Sequence, residues 1–203
     1  MYSVKEHFLY LNGKRVAYLP SPNRGGRIEP TLIVIHYTGD NSPEGALSWL
    51  TAEVSQVSAH LVIDKLGKVY QLVPFNRRAF HAGVSEYKGR DSVNGFSIGI
   101  ENVGFGDEWP DDQVSVLRDV LSALSRAYKI ENIVGHSDVA PGRKVDPGPR
   151  FPWDKVTDSG VEPAPEPIAV EPAPLPDHPY PAPIPEAGGV VGLLKKLWKA
   201  WVR

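Results

Sequence analysis

Cysteine is absent from the 203 residues. That excludes a disulfide framework, a thiol nucleophile and any thiolate metal site, so a bound metal must rely on histidine and carboxylate. Long apolar runs are also missing, and no stretch reaches the roughly 18 residues that a membrane-crossing helix needs. Residues 1–15 contain no apolar run of secretory-signal length before charges and Asn12-Gly13 interrupt it. Synthesis in the cytoplasm without a signal peptide is the expectation. A dominant charge is lacking too: residues 1–156 hold 18 acidic and 18 basic groups. A nucleic-acid partner would need a basic face aimed at phosphates, so none is expected.

Proline, by contrast, is plentiful and unevenly placed, with ten of the 20 lying between Pro163 and Pro185. Setting that stretch aside leaves a part of about 150 residues, an ordinary size for one domain. Residues 157–189 carry six acidic and no basic groups, and residues 190–203 four basic and no acidic ones. The expected organisation is therefore a folded domain over 1–156, an acidic Pro-rich linker over 157–189 and a cationic segment over 190–203. The linker composition favours extended, solvated backbone over helix or sheet.

Within the folded part, Phe8–Leu11 and Arg15–Tyr18 flank Asn12-Gly13 as a hairpin would. Thr31–Ile35 is continuous and β-branched, as a strand covered on both faces is. Ser42, Pro43 and Glu44 mark a helix start, and residues 58–73 alternate around Asp64–Gly67 as a second hairpin. Gly95–Asn102 predicts another buried strand, and Val114, Leu117, Val120, Leu121 and Leu124 predict an amphipathic helix running from Asp111 to Tyr128. A short strand, Asn132–Val134, follows. This order implies an α/β domain with a central mixed β-sheet and helices packed on it.

Two histidines stand where a strand gives way to a loop, His36 after TLIVI and His136 after ENIVG. Such strand ends collect ligands and catalytic groups. Asp146 follows His136 in a segment that Pro141-Gly142 and Pro147-Gly148 can fold back. Two imidazoles and a carboxylate form a three-ligand set for zinc with a fourth position open; the alternative is strand-end histidines satisfied by backbone. Glu101 ends an apolar strand, where a carboxylate is costly unless paired or put to use, and suits a general acid/base. Lys144, two residues before Asp146, can aim its ammonium at a developing oxyanion, or simply be solvated.

The blocks LIVIHYTG, SAHLVIDKLGKVYQLVP, RRAFHAG, NGFSIGIEN and IVGHSDVAPGRKVDPGPRFPW, spread over about residues 30–155, resemble the zinc-dependent N-acetylmuramoyl-L-alanine amidases of the type-2 group, which includes the peptidoglycan recognition proteins. The resemblance implies the fold of that group and one Zn2+ per chain, held by His36, His136 and Asp146, with Glu101 and Lys144 catalytic. The third ligand, aspartate here, is cysteine in the phage lysozyme of the group. That lysozyme also has a tyrosine where this chain has Ala59, before His60. His60 is expected to be structural and Asn94 to organise the turn entering the strand. His81 and Asn102 are expected, on the resemblance, to line the substrate groove.

The reaction so implied is hydrolysis of the amide joining N-acetylmuramic acid to L-alanine in peptidoglycan. In the last fourteen residues, Val190, Leu194, Leu197, Trp198 and Trp201 share one helical face and Lys195, Lys196, Lys199 and Arg203 the other. That pattern suits a helix lying in an anionic membrane surface; docking back on the domain is the alternative. With this segment in view, a monomeric phage or prophage endolysin that reaches the periplasmic wall after release is the favoured reading. A cytoplasmic enzyme recycling muropeptides and a non-catalytic wall-binding or regulatory protein are the alternatives.

Overall fold

The computed structural model describes residues 1–156; the expected linker, 157–189, and the cationic segment, 190–203 with Leu194, Lys195, Lys196, Leu197, Trp198, Lys199 and Trp201, lie outside the described residues. The chain opens with β1 (Tyr2–Lys5), β2 (Phe8–Leu11) and β3 (Lys14–Arg15), an antiparallel set turning at Asn12 and Gly13, both of positive φ. The expected hairpin thus forms but stops early. Its continuation, β4 (Ala17–Tyr18), leaves to pair in parallel with the outer part of the central sheet. Next come β5 (Arg24–Arg27) and β6 (Leu32–Tyr37), the latter reaching past Ile35 because His36 and Tyr37 keep pairing with a neighbouring strand.

Helix α1 (Pro43–Thr51) starts as its sequence dictates: the Ser42 side chain accepts from the Gly45 N–H at 3.0 Å, and Pro43 occupies the first turn. The hairpin of β7 (Leu61–Ile63) and β8 (Val69–Gln71) turns where Asp64 Oδ1 accepts from the N–H groups of Leu66 and Lys68. Then follow β9 (Arg77–Ala79), paired with β5, and a small hairpin of β10 (Glu86–Tyr87) and β11 (Arg90–Asp91) that the sequence reading did not anticipate. Last are β12 (Ser97–Asn102), α2 (Asp111–Ala127), β13 (Asn132–Gly135) and two single-turn helices, α3 (His136–Val139) and α4 (Trp153–Val156).

Six strands make the central sheet in the order β13-β6-β12-β7-β8-β4. β13, β6, β12 and β7 are mutually parallel and β8 runs against β7, so the sheet is mixed, as expected. Strand alternation then separates two faces. Ile33, Ile35, Ile98, Ile100 and Ile133 join Val114, Leu117, Val120, Leu121 and Leu124 of α2 in the main core, where the last turn, α4, also buries Val156. On the other face Leu32, Val34 and Val134 pack against Ala82, Val93, Phe96 and Val139. This second face is apolar only near the N-terminal ends of the strands. Towards their C-terminal ends it carries polar groups.

Among the described residues no helix is long and apolar enough to cross a membrane. Leu117 is fully buried at the centre of the helix–sheet contact. Leu117→Ala is expected to destabilise the domain by about 2–5 kcal/mol, through lost transfer energy and the cavity left behind. Urea unfolding followed by circular dichroism checks this; a loss below about 1 kcal/mol would mean that α2 does not carry the core.

Candidate active site

The polar end of the second face is assembled by register. In the parallel pairing of β12 with β6, Glu101 stands opposite His36, so the imidazole and the carboxyl project side by side. β13 ends beside β6, and the chain turns at once into α3, which begins at His136; the Gly135 N–H is tied to Asp138 Oδ2 at 2.7 Å. The following loop returns Asp146 to its start, where the Ser137 N–H donates to the Asp146 carbonyl at 2.9 Å. Gly135 leaves room for this return, since a Cβ there would lie 2.6 Å from Pro147 Cδ.

Three ligand atoms converge as a result. His36 Nδ1 lies 3.0 Å from both His136 Nδ1 and Asp146 Oδ2, and His136 Nδ1 lies 3.1 Å from Asp146 Oδ2. All three residues are buried. His136 Nε2 faces the Ala82 carbonyl at 3.1 Å, and a carbonyl can only accept, so Nε2 carries a hydrogen and Nδ1 is the atom left to ligate. Burial, with His136 next in effect, pulls the His36 pKa down to about 4, so this imidazole is neutral at pH 7. Burial would raise the Asp146 carboxyl, but His136 and His36 beside it, each favouring the carboxylate whenever it holds a proton, keep it well below the usual carboxylate range. The two Nδ1 atoms and Asp146 Oδ2 thus converge on one point, an arrangement that a cation satisfies. Donors about 2.0–2.1 Å from a tetrahedral zinc stand about 3.3 Å apart, so a triangle of this size fits the ion.

Glu101 is 1% exposed, and its Oε2 has no hydrogen-bond partner within the protein. Burial, reinforced by Asp146 and opposed by Lys144, pushes its pKa up to about 8. Half-buried Lys144 is shifted the other way, down, by burial first. A cleft lined by Thr38, Asp40, Ala46, Trp49 and Leu50 also includes Glu101 in its wall.

Two expectations are corrected. His81 does not line a groove: it is 1% exposed and lies beneath His36, its Nδ1 3.0 Å from His36 Nε2 and its Nε2 3.1 Å from Ser97 Oγ. Asn102 is fully buried, and its Nδ2 donates to the His36 carbonyl at 3.0 Å. Its place in β12 next to Glu101 puts it on the opposite face, so it braces the backbone of β6. His60 is interior, its Nε2 donating to the Arg77 carbonyl and its Nδ1 accepting from the Gly99 N–H. Asn94 Oδ1 accepts from the N–H groups of His81 and Ala82, fastening that loop to the start of β12. The sequence reading passed over Ser97 and Gly99, which share the face of Glu101. A serine and a glycine alternating with isoleucines up to a carboxylate were the available signal.

The shifted Glu101 carboxyl has a measurable consequence for the metal-free protein. Its pKa is about 8 in the fold against 4.5 ordinarily, so between these values the folded form keeps a proton that the unfolded form releases. Its contribution is nil below pH 4.5, grows more destabilising up to about 8 and is constant above. Glu101→Gln should therefore gain stability relative to the parent as pH rises from 5 to 8, by on the order of a few kcal/mol. Urea unfolding after chelation at both pH values checks this; a difference that does not change with pH would contradict it.

Comparison with known proteins agrees with this geometry. A family model described as N-acetylmuramoyl-L-alanine amidase matches residues 26–149. The 1,6-anhydro-N-acetylmuramyl-L-alanine amidase AmpD of Escherichia coli is 39% identical over 158 residues, 66% of this chain and 86% of that protein. A crystal structure of an AmpD derivative superposes with a TM-score of 0.69 at 35% identity, covering 78% of this chain and 99% of the other. The amidase AmiD of E. coli, solved with anhydro-N-acetylmuramic acid-L-Ala-D-gamma-Glu-L-Lys, gives 0.60 at 32% identity over 79% of this chain and 66% of its own. An endolysin amidase from Clostridium intestinale also reaches 0.60, but at 23% identity over 72% of this chain and 96% of its own, a likeness of fold alone. The extent of the family match and the identity to AmpD establish that this chain belongs to the N-acetylmuramoyl-L-alanine amidases of the type-2 group.

Proposed function

We propose that this amidase works with one zinc ion held by His36, His136 and Asp146, and that it cleaves soluble anhydromuropeptides in preference to intact wall. The observation that carries the metal assignment is the triangle of three buried ligand atoms beside Glu101. When bound there, zinc would supply Lewis-acid polarisation of the scissile carbonyl, activation of water, and positive charge that draws the Glu101 carboxyl back toward ionisation. Glu101 then takes the proton of the attacking water and delivers one to the L-alanine nitrogen of the departing peptide. Its buried Oε2, lacking a protein partner, is suited to that exchange. Lys144 turns its ammonium to the oxygen that becomes negative as the carbonyl is attacked.

The preference for soluble substrate is supported by the identity to AmpD, named for its anhydromuropeptide substrate, and by the anhydro sugar in the AmiD complex. This favours the recycling reading over the endolysin reading that the tail suggested. One feature supports wall lysis as a second reading: residues 190–203 carry four basic groups and no acidic one. Mass spectrometry of products from purified wall and from soluble anhydromuropeptides, each with and without chelator, separates the two. Faster release of the peptide from soluble substrate, abolished by chelator, is expected. Faster release from intact wall would reverse the assignment, and lysis lost on deleting residues 186–203 would assign that segment to it.

Two substitutions test the roles. Glu101→Gln should keep zinc at one per chain while activity falls by about 10²–10⁴-fold. His36→Ala should lose the metal as well, which metal analysis of the purified variant would contradict if zinc remained stoichiometric.

A further inference from the structure

Hydrogen-bond direction can be followed inward from the metal site, because each step ends on a group with limited choices. Ser97 Oγ has one hydrogen, and it lies 2.7 Å from the Val93 carbonyl, which can only accept. The hydroxyl hydrogen is therefore committed to Val93. Towards His81 Nε2, 3.1 Å away, Ser97 Oγ can only accept, so Nε2 carries the hydrogen of the neutral His81 ring. His81 Nδ1 is then a bare lone pair. It faces His36 Nε2 at 3.0 Å, and only a hydrogen on His36 Nε2 can fill that gap. His36 Nδ1 is left without a hydrogen, pointing at His136 Nδ1 and Asp146 Oδ2.

The backbone is shaped to hold this chain. Gly99 lies between Ser97 and Glu101 on the same face of β12, and a Cβ there would overlap the His81 ring. The N–H groups of His81 and Ala82 are both held by Asn94 Oδ1, which sets the position of the ring from the other side. Among the described residues, these contacts join Val93, Ser97, His81 and His36 in one line of fully buried polar groups.

We infer that His81 is a positioning residue for the metal: accepting from His36 Nε2–H, and itself fixed by Ser97, it locks His36 in the one tautomer that can ligate through Nδ1. This rests on the proposed zinc site. Without the lock, a neutral His36 can move its hydrogen to Nδ1 and lose its ligand lone pair. The preorganisation supplied by such outer partners is typically worth 10–100-fold in metal affinity.

The test is zinc affinity by competition with a chromogenic chelator, for the parent, His81→Ala and His81→Asn, with folding of each metal-free protein followed by circular dichroism. Asparagine places its Oδ1 where the imidazole has Nδ1 and keeps the acceptor. His81→Ala should bind zinc about 10–100-fold more weakly, and His81→Asn should recover most of that loss. Unchanged affinity in the alanine variant would overturn the inference, as would equal losses in both, which would indicate packing alone. If the alanine variant does not fold, ¹⁵N NMR of the zinc-loaded parent decides. Hydrogens on His81 Nε2 and His36 Nε2 support the lock; a hydrogen on His81 Nδ1 removes it. A parent chain that binds no zinc would instead refute the metal assignment.

Discussion

The in-register parallel pairing of β6 with β12 is the constraint on which the rest of this molecule depends. It sets Ile33 beside Ile98 and Ile35 beside Ile100 on one face, and His36 beside Glu101 on the other. Side chains alternate with period two, so a slip of one residue in one strand would turn its whole set over. His36 or Glu101 would then enter the apolar contact with α2, and an isoleucine would stand at the catalytic face. Burial of α2 against the sheet and assembly of the active site are thus one choice of register. The apolar side supplies the energy that holds the polar side in place.

That polar side is expensive. A carboxyl with an unpartnered oxygen, the imidazoles of His36 and His136 and a third histidine are all withdrawn from water. Buried polar groups are tolerated when their hydrogen bonds are complete, and this cluster completes them unevenly. His60 and Asn94 are satisfied by backbone partners, whereas His36, His136 and Asp146 turn lone pairs on one another. On the face of His36, the unpartnered carboxyl oxygen of Glu101 lies beside the atoms that would meet the ion and the water. Around them the Asn102 Nδ2 donates to the His36 carbonyl and the Asn94 Oδ1 holds two backbone N–H groups.

Much of this was legible in the residues. The period of Val114, Leu117 and Leu121 announced α2, Ser42-Pro43 announced α1, and the strand-end histidines with the returning Asp146 announced the cluster. What escaped had no period to reveal it. His81 lies between strands in FHAG, where nothing in the sequence says whether a ring faces outward or in. Asn102 is out of step with Ser97, Gly99 and Glu101, so strand alternation alone places it on the opposite face. β4 parts from its hairpin because pairing with β8 extends the central sheet, a gain only the tertiary structure offers.

The end of the described chain has its own consequence. α4 packs with α2, and Val156 is buried in the core shared by α2 and the sheet. His36 and Glu101 are on the other side of that sheet. The last described turn thus lies at the back of the domain, with the thickness of the sheet between it and the catalytic face. A reporter, surface tether or second enzyme attached after Val156 would begin on the side away from the reacting amide, which makes this junction the natural handle for immobilising the domain with its active site facing outward.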